Sequence, residues 1–234
     1  MSTLLLLRHG LTAMTGPVLA GRTPGVHLDE RGQAQAAAAA ARIAALPLAA
    51  VVTSPLERCT DTAALVRQAQ QASGREPVWE IDDRLVECGY GDWTGRALKD
   101  LAKDPIWKVV QTQPSAARFP AGEAMIEMSA RAVAAVRDWD ARLGPDAIWV
   151  ACSHADVIKA VLADALGLHL DQFQRIVVDP CSVSVVRYTE TRPYVLRAND
   201  VGGELSAFVP PAKKGRRRKA SDATVGGGAG SGQV

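Results

Sequence analysis

Three short segments carry the residues most able to do chemistry: Arg8-His9-Gly10, Ser54-Pro55-Leu56-Glu57-Arg58 and Ser153-His154-Ala155. Each follows a short apolar run. If those runs are strands of one open α/β sheet, the segments lie at carboxyl ends, where such sheets bind ligands. Two arginines, Arg8 and Arg58, and two histidines, His9 and His154, would then share a crevice. Forked guanidinium donors suit phosphate oxygens, and helix N-termini add N–H groups and a favourable dipole. A neutral imidazole, with a reference pKa of about 6.5, can attack phosphorus in line at physiological pH. One histidine attacks and the other assists. The chain carries no HExxH, no EF-hand carboxylate spacing and no GxxxxGK[ST] loop, so neither a metal site nor an ATP-driven kinase mechanism is expected.

The elements that must position these residues are legible in outline. Runs rich in Leu, Val and Ile at Leu4–Leu7, Ala49–Thr53 and Ala147–Ala151 are each followed by a turn and a helical pattern, which reads as β-α units on a parallel sheet. Helices are expected at Arg31–Leu46, from Pro55 to about Ser73, at Glu123–Leu143 and at Ala155–Leu166. Ser54, Pro55 and Glu57 have the spacing of a capping box, which starts the second helix and puts Arg58 in its first turn. Ser182–Tyr188 and Tyr194–Ala198 read as a hairpin finishing the sheet at an edge.

Five segments in this order resemble the histidine phosphatase superfamily, also called the phosphoglycerate-mutase-like family: LLLRHGLT, HLDERGQAQA after a Gly-Arg pair, TSPLERCTDTA, LVECGYGDWTG and CSHADVIKAVL. The resemblance spans roughly residues 3 to 200. It implies a three-layer α/β sandwich with a mostly parallel central sheet. It also implies that His9 is the phosphorylated nucleophile and that Arg8, Arg58 and His154 hold the phosphoryl group. Glu87, ahead of the G-x-W-x-G segment, is implied as proton donor to the leaving oxygen, a group the chemistry needs because an alkoxide leaves poorly without a proton. Asp82 and Asp83 are nearby alternatives. The sequence departs from the pattern at Thr15, where many members carry a phosphoryl-contacting asparagine, at Ala155 for a glycine and at Lys159 for an arginine. Thr15 keeps a hydroxyl donor and Ala155 a backbone N–H.

Arg22 is a weaker substrate-binding candidate, since an arginine near a turn is equally a surface residue. Glu123 matches a family position, yet at a helix start an acid is favoured by the dipole alone. His27, His169 and Trp93 read as structural. Between Glu87 and Glu123 the paired-arginine segment of the classical mutases is missing, which favours a phosphomonoester hydrolase acting on a small phosphorylated metabolite without cofactor. The alternatives are a phosphomutase primed by 2,3-bisphosphoglycerate and a phosphate-binding protein without turnover.

With 27 basic against 25 acidic residues, no general attraction to nucleic acid or membrane is expected. Four scattered cysteines without a CxxC pair fit a reducing cytoplasm better than a disulfide framework. One domain is expected over residues 1–209. From Pro210 onward a basic cluster at 213–219 and a glycine-rich end read as a disordered, solvated tail with nothing to bury. The edge hairpin could pair across a homodimer.

Overall fold

The computed structural model describes residues 1–203 and 225–228. In chain order the elements are β1 (Ser2–Arg8), α1 (Glu30–Ile43), β2 (Ala50–Thr53), α2 (Glu57–Ala72), β3 (Val78–Ile81), α3 (Leu98–Leu101), α4 (Pro105–Thr112), α5 (Met125–Leu143), β4 (Ile148–Ser153), α6 (Ala155–Ala165), β5 (Val183–Tyr188) and β6 (Pro193–Asp200). The six strands form one sheet in the order β3-β2-β4-β1-β5-β6. The first four are mutually parallel; β5 runs antiparallel to β1, and β6 antiparallel to β5.

Because successive strand side chains point to opposite faces, β1 feeds two cores. Leu5 and Leu7 pack with Val51, Val150 and the alanine-rich face of α1, while Leu4 and Leu6 pack with Val52, Trp149 and residues of α5 and α6. Burial on both faces explains the uninterrupted leucine run. The expected three-layer α/β sandwich is what forms.

Several expectations change in detail. Asp29 caps α1 by accepting from Gly32 N at 2.7 Å. The second helix begins at Glu57, not Pro55, and its N-cap, Leu56, makes no side-chain cap bond. Ser54 Oγ sits 2.8 Å from His154 Nε2 and accepts from Leu56 N only at 3.4 Å. At the start of α5, Glu127 reaches back to Ala124 N at 2.9 Å, so Glu123 is not the capping acid. The hairpin forms, with β6 at the edge.

The short edge strand β3 and the small helices α3 and α4 were not anticipated. Val78 and Ile81 of β3 are half exposed, so β3 has no strong apolar signature. Ile106, Trp107 and Phe119 anchor the segment between Glu87 and Glu123 on the core; Trp107 stacks on buried Trp93 at 6.1 Å between centroids. Among the described residues, no helix is long and apolar enough to cross a membrane. Most of the expected tail, 210–224 and 229–234, lies outside the described residues. Within it, residues 225–228 depart from the expectation of nothing to bury, since Val225 is 1% exposed.

Candidate active site

The strand order places the carboxyl ends of β2, β4 and β1 side by side. Register aligns them: Arg8 pairs with Ser153, and Thr53 with Cys152. The chain is pinned one residue further on, as His9 N donates to Ser153 O at 3.0 Å and Ser54 N to Cys152 O at 2.9 Å. His9, Ser54 and His154 therefore leave the sheet at one level. The turn after His9 requires glycine, because a Cβ on Gly10 would stand 2.6 Å from Gly32 O in the first turn of α1.

His9 and His154 are buried with ring centroids 5.2 Å apart. His9 Nδ1 lies 2.7 Å from Gly10 O. A carbonyl only accepts, so Nδ1 carries the proton and Nε2 keeps its lone pair. Burial, followed by the charges of Arg58 and Arg8, holds His9 well below the ordinary histidine pKa. The ring is thus neutral and nucleophilic at neutral pH.

His154 is fixed from both sides. Arg58 Nη2 donates to its Nδ1 at 3.3 Å, which leaves the ring proton on Nε2 to donate to Ser54 Oγ. Burial, and then Arg58, holds its pKa well below the ordinary value as well. Arg58 also donates to Gly21 O at 2.6 Å.

Both arginines are almost fully buried, yet among the described residues Arg8 Nε and Arg58 Nη1 have no hydrogen-bond partner. Leaving a buried charged donor unsatisfied is costly. Two such donors beside His9 in one cavity fit the oxygens of an incoming anion.

Glu87 lines the same cavity and is 4% exposed. Burial, then the charge of Asp156, pushes its carboxyl up to about 7, against the pull of Cys88 N–H, Arg58 and Arg8. The alternatives fall away: Asp82 is taken by Arg84 and Trp139 Nε1, and Asp83 is exposed. Thr15 lines the cavity, its hydroxyl 2.9 Å from that of Thr12.

Arg22 stands apart from that cavity. Its guanidinium is held by Glu87 O at 2.8 Å and Glu123 at 3.0 Å. Arg131, which sequence reasoning missed, completes this brace by donating to the carbonyls of Arg84, Val86 and Glu87 and to both carboxylate oxygens of Glu123. Glu123 thus helps to hold the loop that carries Glu87.

Ser54, Tyr90 and Asp156 were missed too. Tyr90 donates to buried Asp156 Oδ2 at 2.7 Å, and Lys159 Nζ stands 3.7 Å from Oδ1. Asp156 and Lys159 follow His154 at i+2 and i+5, and only the helix turns them under the site. Among the described residues, no group of three or more His, Cys, Asp and Glu could hold a metal ion.

An α/β sandwich with a buried histidine pair between two arginines at the strand ends defines a class. The chain belongs to the histidine phosphatase superfamily (branch 1), whose family model matches residues 4–201. It is 34% identical over 197 residues to a bifunctional protein of Mycobacterium tuberculosis, covering 79% of this chain; the chain spans about half the length of that relative, 50%. It is 30% identical over 181 residues to the glucosyl-3-phosphoglycerate phosphatase of Mycolicibacterium vanbaalenii, covering 73% of this chain and 76% of that one. The solved structure of a mycobacterial glucosyl-3-phosphoglycerate phosphatase superimposes with a TM-score of 0.75 at 24% identity, over 85% of this chain and 98% of that one. That likeness concerns the fold.

Proposed function

We propose that the protein hydrolyses small phosphomonoesters through a phosphohistidine at His9, without a metal. The observation that carries this is the pair of unpartnered buried donors, Arg8 Nε and Arg58 Nη1, beside a neutral His9 whose Nε2 is free. Two arginines with an unsatisfied N–H each and a neutral histidine lining one cavity match a phosphoryl group and its nucleophile. Family membership and the phosphatases among its relatives support the same reading.

The steps follow from the residues. The phosphoryl oxygens accept from Arg8 and Arg58, with the Thr15 hydroxyl as a further donor, while His154, its one ring proton given to Ser54 Oγ, positions Arg58 through Nδ1. His9 Nε2 attacks phosphorus as the bond to the leaving oxygen breaks, and protonated Glu87 gives that oxygen its proton. The alcohol departs. Glu87, now a carboxylate, takes a proton from a water that attacks the phosphohistidine; inorganic phosphate forms and His9 Nε2 is restored. A carboxyl near 7 can fill both roles at neutral pH. Arg22 braces the acid and does not bind substrate.

The test is inorganic phosphate release from a panel of phosphomonoesters in the presence of chelator, for wild type and His9→Ala. Chelator-resistant release that vanishes in His9→Ala supports the reading. Isomerisation of 3-phosphoglycerate only with 2,3-bisphosphoglycerate, without net release, would make the protein a mutase instead. Silence in both assays would favour a binding protein.

A homodimer would form most readily at β6, where Tyr194 and Leu196 are half exposed on an open edge; sedimentation tests this. The four cysteines are unpaired and buried, in keeping with a reducing cytoplasm.

A further inference from the structure

Four residues of the glycine-rich end stand inside the site. Val225 is buried in the main core. Gly226 N donates to Asp156 Oδ2 at 3.2 Å. The carbonyls of Gly226, Gly227 and Gly228 accept from the Arg8 guanidinium at 3.4, 3.1 and 2.7 Å. The segment borders the cavity of Arg8, His9, Arg58 and Glu87 and leaves it about 40 Å³. That is space for a water or two at about 30 Å³ each, far below the roughly 300 Å³ of a small organic ligand site.

The fit is specific to glycine. A Cβ on Gly227 would stand 2.2 Å from Ala155 Cβ, and one on Gly226 would stand 3.1 Å from Leu19 Cδ1. Gly226, Gly227 and Gly228 have φ of 72°, 76° and 54°, a region that disfavours other residues. Composition reads this run as low complexity; the backbone it adopts here needs each glycine.

We propose that Val225–Gly228 is an inhibitor carried by the chain itself, docked on the Arg8 guanidinium and against the cavity that a phosphomonoester must enter. This rests on the phosphatase reading above. Arg8 spends two of its nitrogens on neutral carbonyls, and a charged phosphate is the stronger acceptor. Substrate therefore displaces the segment at sufficient concentration, and docking raises apparent KM while kcat stands. If nine in ten molecules are docked, the penalty in apparent affinity is about tenfold.

The test uses the full chain. Gly227→Val sets a side chain against Ala155, and Val225→Asp puts a charge in the core, so each ejects the segment by a different route. Both should lower KM for p-nitrophenyl phosphate at least fivefold with kcat unchanged, and a peptide of residues 222–230 should restore the higher KM of Gly227→Val by competition. Unchanged KM in both variants, or a fall in kcat in both, would overturn the proposal; the second result would mean that the segment completes the site. If no form hydrolyses any ester, the phosphatase reading fails by itself, and docking is read from hydrogen exchange. The Gly226 amide should be protected without ligand and exchange faster with saturating phenyl phosphate. Absence of protection overturns docking, and protection that phenyl phosphate leaves untouched overturns displacement by substrate and with it the inhibitor.

Discussion

Replacing Glu87 by Gln keeps size and shape and removes the transferable proton. A carboxyl at its ordinary value of 4.5 would be about 0.3% protonated at pH 7, whereas one near 7 is about half protonated. Burial and the charge of Asp156 together therefore raise the acid form by about two orders of magnitude at neutral pH. The loss should depend on how badly the leaving group needs a proton. For glycerol phosphate, kcat/KM should fall by about 10²- to 10⁴-fold. For p-nitrophenyl phosphate, whose phenolate leaves unaided, it should fall less than about tenfold. The ratio kcat/KM is the right quantity because it stops at the first irreversible step, before water attacks. Wild type should lose activity on glycerol phosphate as pH rises through 7, because the acid deprotonates; Glu87→Gln should lack that limb. Ionisation of the substrate phosphate, near 6, is common to both enzymes and cancels in the comparison. Equal losses on both substrates, or an alkaline limb that survives in the variant, would refute the assignment of Glu87 as the acid.

Other outcomes follow from the same geometry. The buried Glu87 carboxyl releases its proton near 7 when folded and near 4.5 when unfolded, so its contribution to stability is full below about 4.5 and is lost as pH rises through 7; urea titrations should show this dependence reduced in Glu87→Gln. Ser54→Ala leaves the His154 Nε2 proton only the weak acceptor Cys59 Sγ at 3.4 Å and should cost about 1 kcal/mol in urea unfolding, with kcat reduced more than KM is raised. Arg131→Met strips the Arg84 and Val86 carbonyls of their side-chain donor and leaves Glu87 O to Arg22 alone and the Glu123 carboxylate to Arg22 and Gly89 N. It should lower stability by about 3 kcal/mol in the same assay, and kcat should fall as the Glu87 loop loosens. Leu6→Ala, buried in the main core, should cost about 2–5 kcal/mol without changing KM.

How much was legible from the sequence follows from the range of each interaction. The leucine run of β1 and the β-α alternation are set by side chains near in sequence, so the parallel sheet and its helices could be read from periodicity. Arg8, His9, Arg58 and His154 follow strand ends, and the geometry of open sheets brings such positions together whatever lies between. Local signals misled where a distant partner competed for the same atom. Ser54 has the spacing of a cap, but His154, 100 residues away, takes its hydroxyl. Glu123 has the position of a helix acid, but Arg131 and Gly89 N take its carboxylate. Neither competition leaves a trace in spacing.

Residue types and order along the chain thus determined the sheet, the histidine pair and the basic character of the crevice. Only the tertiary structure decided the charge states within it, because these depend on burial and on neighbours far along the chain: His9 kept neutral with its proton on Nδ1, and Glu87 raised to about 7 by burial and by Asp156. The same holds for Val-Gly-Gly-Gly. Composition reports what those four residues lack, while the close approach of their backbone to Arg8, Ala155 and Asp156 exists only once the fold has put all three at one mouth.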